Sequence, residues 1–196
     1  MSQIKERPIL FQSEMVQAIL ERRKTQTRRV VKGIALEWLA PEMFTPEFVA
    51  NPENKMCPYG QIGDRLWVRE TWKPKYVKGG LSGFQIQYPN VHPWFYAADG
   101  ETEKGYGGWK PSIHMLRAAC RILLEITNIR VERLQDISEE DAKAEGVSLP
   151  DTLFASSNLD YRICFKTLWQ SINGPESWEA NPWVWAIEFK RVEATT

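Results

Sequence analysis

Apolar positions along the chain alternate between two periods, and the switch between them outlines the elements. Met15, Val16, Ile19 and Leu20 share one helical face, which predicts an amphipathic helix from Glu14 to about Arg23 with Ser13 as its N-cap. Leu66, Val68 and Glu70 alternate with Trp67, Arg69 and Thr71, a strand pattern that follows the turn Gly60-Gln61-Ile62-Gly63-Asp64. Arg121 to Thr127 reads as a central strand with Ile122, Leu124 and Ile126 on one face and Glu125 on the other. The apolar parity then shifts to Ile129 and Val131, which predicts a bulge near Asn128. Ser138-Glu139-Glu140-Asp141 opens a short acidic helix that Gly146 should stop. Tyr161, Cys164, Phe165, Leu168, Trp169 and Ile172 keep helical spacing up to Asn173-Gly174-Pro175, and Trp183 to Phe189 is the last strand.

Two stretches fit neither period. Residues 33–58 carry four prolines and predict a long loop with one short helical turn, while residues 73–111, rich in Gly, Pro and Tyr, predict an ordered aromatic insertion holding one strand, Trp94 to Ala98. Short strands dispersed among a few helices indicate a single α+β domain over 1–196 built on a small, partly closed barrel.

Composition narrows the classes of function. The 25 basic and 25 acidic residues cancel, which argues against a protein that coats nucleic acid over its whole surface but leaves room for a local basic patch. Cys57, Cys120 and Cys164 are odd in number and far apart, so no disulfide framework is expected; together with His92 and His114 they show no metal-ligand spacing, and neither a metal nor a cofactor is expected. The N-terminal residues lack an apolar signal region and no run is long enough to span a bilayer, so a soluble cytoplasmic protein without a membrane partner is expected. Nine tryptophans supply core anchors and, in a minority, rings able to stack on a base.

The densest chemistry lies in Arg22-Arg23-Lys24-Thr25-Gln26-Thr27-Arg28-Arg29, where a helix should give way to extended chain. A solvated basic turn complementing a helix C-terminus is the plain reading of such a run. Ser112 with His114 pairs a hydroxyl with a base only in composition.

The order of these elements changes the weight of that run. Lys24, Thr27 and Arg29 match the signature G-x-K-x-x-T-x-R of the ASCH family of PUA-like β-barrels, with Arg22 at the position of the glycine. Over nearly its whole length the chain resembles the ASCH proteins of bacteriophages and prophages, through Cys57-Pro58-Tyr59-Gly60, Trp67 to Trp72, Trp109 to Met115, Asp136 to Ala142 and Asn181-Pro182-Trp183-Val184.

The resemblance implies a mixed PUA-like barrel with flanking helices and long loop insertions, and two activities. One is hydrolysis of N4-acylated cytosine nucleosides by a Lys, a Thr and a later-strand Glu, which positions Lys24, Thr27 and Glu125 as catalytic residues, with Glu70 a second choice for the carboxylate. The other is a module that binds or cleaves single-stranded RNA. Arg28, Arg29, Arg69, Glu70, Trp72 and Trp109 are the expected contacts to a modified nucleoside or to RNA. In the hydrolytic reading burial and the neighbouring cations Arg23, Arg28 and Arg29 would depress the Lys24 pKa so that its amine activates the Thr27 hydroxyl. A strictly extended chain would point Lys24 and Thr27 to opposite faces, so the site requires a turn between them.

Overall fold

The computed structural model describes residues 4–39, 43–74, 94–100, 108–149 and 160–192, which form an α+β fold. Its centre is a five-stranded mixed sheet in the order β1 (Glu6–Leu10), β3 (Arg65–Arg69), β6 (Leu123–Arg133), β7 (Trp183–Val192), β2 (Gln26–Val30). β1 runs parallel to β3 and the other neighbours are antiparallel. A two-stranded sheet, β4 (Trp72–Pro74) with β5 (Trp94–Tyr96), lies beside it.

Alternation determines what each face buries. Leu66 and Val68 of β3, Leu124, Ile126 and Val131 of β6, and Trp185, Ile187 and Phe189 of β7 join Met15, Val16 and Ile19 of α1 (Ser13–Leu20) in the main core. The predicted bulge is present: register shifts between Ile126 and Asn128, so Ile126 opposite Phe189 and Ile129 opposite Ile187 both stay on the core side. The other face of β7 is covered too. Val184 packs with Leu134, Ile137 and Ala142 and with Phe165 and Trp169, bringing α4 (Glu139–Ala144) and α5 (Tyr161–Asn173) against the sheet near the β2 edge.

Caps account for the helix limits. Ser138 Oγ accepts from Asp141 N at 3.0 Å and Asp160 accepts from Ile163 N at 2.8 Å, while Gly146 takes the left-handed φ of 84° that ends the acidic helix. At α1 the expectation fails: the N-cap is Gln12 without a side-chain bond, and Ser13 is already helical.

Residues 33–58 hold more structure than a loop. α2 (Ile34–Leu39) and α3 (Pro46–Ala50) are joined by a Trp38, Phe44 and Phe48 stack with Trp38–Phe44 and Phe44–Phe48 centroids 4.6 Å apart, followed by a 3-10 turn at Pro52–Asn54. Helices of five and six residues are too short to show a period. β1 was hidden by Pro8, which is tolerated because β1 is an edge strand. Of the insertion at 73–111, residues 75–93 and 101–107, with His92 and much of the aromatic run, lie outside the described residues; the described part is clamped by Lys110 bridging Trp72. Among the described residues no helix is long and apolar enough to cross a membrane.

Leu124 is fully buried where β3, β6 and α1 meet. Leu124→Ala is predicted to cost about 2–5 kcal/mol in urea unfolding, against less than about 0.5 kcal/mol for Ile163→Ala at a position 45 % exposed. Equal effects would remove Leu124 from the core.

Candidate active site

The basic run sits where α1 ends against the β2 edge. Arg22 adopts a left-handed φ of 62° that turns the chain, and the N–H groups of Arg23 and Lys24 both donate to Ala18 O, at 2.8 and 3.0 Å. Thr25 N then donates to Ala144 O at 2.9 Å, and Lys24 pairs with Glu145 as an isolated antiparallel bridge. The turn at Glu21–Arg22 precedes Lys24, and no turn lies between Lys24 and Thr27, yet both residues line one narrow cleft. From Gln26 the chain is a strand in which Thr27 stands opposite Ile187 and Arg28 opposite Ala186.

Lys24 is 3 % exposed. Its Nζ donates to Glu145 Oε2 and to the Glu145 carbonyl, each at 2.8 Å, and lies 5.6 Å from the Phe11 ring centroid. Burial lowers its pKa; the carboxylate of Glu145 opposes that in part, while Arg29 and Arg28 push the same way. The second carboxylate oxygen, Glu145 Oε1, accepts from Arg28 Nη1 at 3.1 Å. Close packing leaves little freedom here, since a Cβ on Gly146 would come within 2.7 Å of Lys24 Cβ and 2.9 Å of Ala18 Cβ.

Arg28 is the hub of the ion pairs. Its side chain has no exposed surface and also bonds Asp141 Oδ2 at 2.9 Å and, through Nε, Glu132 Oε1 at 2.9 Å. Arg130 extends the network to Glu132, Asp141 and Glu188. With every face of its guanidinium engaged, Arg28 is a structural tie rather than a free contact for a phosphate or a base.

Thr27, also 3 % exposed, makes no hydrogen bond through its hydroxyl among the described residues. It lines a narrow cleft of about 70 Å³ together with Phe11, Lys24, Arg29, Glu145 and Trp169. The indole N–H of Trp169 is buried without an acceptor among the described residues. Arg29 stands over the Phe11 ring at 5.2 Å and donates to Leu10 O at 2.7 Å. The cleft thus holds a desolvated amine on a carboxylate, an uncommitted hydroxyl and an uncommitted donor.

Glu125 is placed elsewhere. Its carboxylate pairs with Lys190 at 2.7 Å, and no hydrogen bond or ion pair joins it to Lys24 or Thr27 among the described residues. Glu70 is buried under Arg121, which grips both its oxygens at 2.8 Å and in turn binds Asp99; burial raises the Glu70 pKa against that pairing. Arg69 bonds Ile113 O and lies 5.3 Å from the Trp67 ring, Trp72 packs edge-on against Trp94, and the half-exposed Trp109 carries Lys73 at 4.5 Å. These residues form a second cluster around β4 and β5. Ser112 and His114 share a 3-10 turn without a side-chain bond between them. Burial pushes the Cys57 thiol up to about 11, so it is protonated at neutral pH, and among the described residues no group of three or more His, Cys, Asp or Glu is placed to hold a metal.

Glu145 and Asp141 are the residues that sequence reasoning passed over. Their signal was present as two carboxylates four apart, on one face of the acidic helix directly before its glycine stop.

No family model and no curated protein matches the chain. A crystal structure of a protein from Enterococcus faecalis V583, of the DUF984 family model, is similar over 97 % of this chain and 82 % of that one, with a TM-score of 0.43 and 9 % identity.

Removing one partner from a buried ion cluster strands the others, so Arg28→Ala is predicted to cost about 3–5 kcal/mol in chemical unfolding. Burial tends to raise the Asp141 pKa, but Arg130 and Arg28 more than offset this and hold the carboxyl below its ordinary value. A depressed folded-state pKa adds stability above the unfolded value of about 4 that is lost as pH falls below it. Wild-type stability measured from pH 6 to 2 should therefore drop more steeply than that of Arg28→Ala; parallel curves would contradict this role.

Proposed function

We propose that the protein is a hydrolase that removes a small acyl group from the exocyclic nitrogen of a cytosine nucleoside or related modified base, on a PUA-like barrel of the ASCH type. The observation that carries this reading is the buried Lys24–Glu145 pair beside the uncommitted Thr27 hydroxyl in one narrow cleft. The barrel geometry is supported by Arg29 of one edge strand bonding the Leu10 carbonyl of the other. The resemblance called for a Lys, a Thr and a Glu; in this reading Glu145 takes the place first given to Glu125.

The chemistry follows from the environment of each group. A threonine hydroxyl needs a base, and an amine whose pKa is lowered by burial can be one. Thr27 Oγ attacks the acyl carbon while its proton passes to the Lys24 amine. That proton then moves to the exocyclic nitrogen as the C–N bond breaks, leaving the free base and an acyl-threonine. Water, deprotonated by the same amine, attacks the acyl carbon, and the amine returns that proton to Thr27 Oγ as the ester C–O bond breaks and the carboxylic acid leaves. Glu145 holds the amine in place, and the Trp169 N–H is the available donor for the carbonyl oxygen. A cleft of about 70 Å³ fits the few heavy atoms of an acetyl group rather than a whole base.

Purified protein should hydrolyse N4-acetylcytidine, with kcat/KM rising with pH through a pKa below the ordinary lysine value, because the base is the neutral amine. Lys24→Arg keeps the charge but cannot lose its proton and should lower kcat/KM by roughly 10²–10⁴-fold. Undiminished hydrolysis by this variant would rule out the mechanism. Retention of single-stranded RNA with no turnover of any acylated cytosine would instead favour an RNA-binding ASCH module.

A further inference from the structure

A second cleft, of about 420 Å³, adjoins the first, and Lys24 lies in the wall of both. Its rim carries Arg22, Thr25, Lys190 and Arg191 over an apolar floor that includes Leu124 and Phe189. Most arginines of the chain are committed: Arg28, Arg121 and Arg130 to carboxylates, Arg29 and Arg162 to carbonyls, Arg133 to the Trp183 ring. Arg22 and Arg191 are not. Both are exposed, and the side chain of neither has a hydrogen bond, ion pair or ring contact among the described residues.

Arg22 carries a further signal. It occupies a left-handed φ of 62°, a conformation open to glycine at no steric cost but sterically unfavourable for an L side chain. No contact of its own side chain offsets that strain. Lys190 adds a third cation, 60 % exposed and shared with Glu125, so the rim is positive in a chain whose formal charge is zero.

Two forked guanidiniums and a hydroxyl around one opening match the three oxygens and double charge of a phosphate group. We propose that this cleft binds the phosphate of a nucleotide whose acylated base reaches the Lys24 cleft, which makes the substrate class a nucleotide rather than a bare nucleoside. The inference rests on the hydrolase reading for the identity of the base, and on Arg22 and Arg191 alone for the phosphate.

Calorimetric titration at low salt with cytidine, cytidine 5′-monophosphate and inorganic phosphate tests it without any turnover. The monophosphate is expected to bind about tenfold or more tightly than cytidine, and Arg22→Gly and Arg191→Gln should each erase most of that advantage. Arg22→Gly should leave the thermal midpoint equal or higher, so its loss of binding cannot be ascribed to unfolding. Equal affinity for nucleoside and nucleotide, or a preference that survives both substitutions, would overturn the proposal. A short single-stranded oligonucleotide that outcompetes the monophosphate with the same dependence on Arg22 and Arg191 would support the phosphate site and identify a strand as its source. Turnover separates the two readings. Hydrolysis of N4-acetylcytidine that is indifferent to both arginines, with no phosphate preference, sinks this inference alone, whereas phosphate binding without any hydrolysis sinks only the activity.

Discussion

One carboxylate ties the molecule together at its candidate site. Glu145 accepts from Lys24 with one oxygen and from Arg28 with the other, and its backbone carbonyl takes a second bond from the Lys24 ammonium. All three side chains are nearly or fully buried. Taking such charges out of water is costly, and the pairing returns little net stability when it is complete. What the arrangement provides is position: an amine that would otherwise swing into solvent is fixed beside Thr27 at the edge of β2.

The surrounding fold is organised so that this position is possible. α1 ends in a left-handed turn at Arg22 that brings Lys24 under Ala18, and the 138–146 segment runs back along it so that Thr25 bonds Ala144 and Gly146 packs on the lysine. Arg28, one strand position from Thr27, is tied to Asp141 and Glu132 as well as to Glu145. β2 therefore carries two tasks side by side, with Thr27 and Arg29 lining the cleft and Arg28, also in its wall, holding α4 on the sheet through Asp141. Desolvation, which holds the cluster rigid, also lowers the Lys24 pKa.

Much of this was legible in the chain, and the rest was not for identifiable reasons. The bulge at Asn128 and the helix at Tyr161–Asn173 were readable because their periods are long and clean. α2 and α3 were not, because five or six residues carry no period. Lys24 and Thr27 were marked by their motif, but their carboxylate was not: alternation correctly put Glu125 on the face away from Ile122, Leu124 and Ile126, yet could not show that Lys190 would occupy it. Finding Glu145 required knowing that a helix more than a hundred residues downstream folds back on the β2 edge, a fact of tertiary pairing that no local pattern encodes. The ion pairs of Arg28 were hidden for the same reason, since its three acidic partners all come from distant segments.

The central claim is that Glu145, not Glu125, works with Lys24, and a matched pair of isosteric substitutions decides it. Steady-state hydrolysis of N4-acetylcytidine should fall by roughly 10²-fold or more in Glu145→Gln, with the rise of its pH profile moved to lower pH because the amine has lost the carboxylate that raises its pKa. Glu125→Gln should match the wild type in both rate and profile. Wild-type turnover in Glu145→Gln, or collapse of activity in Glu125→Gln, would contradict the account.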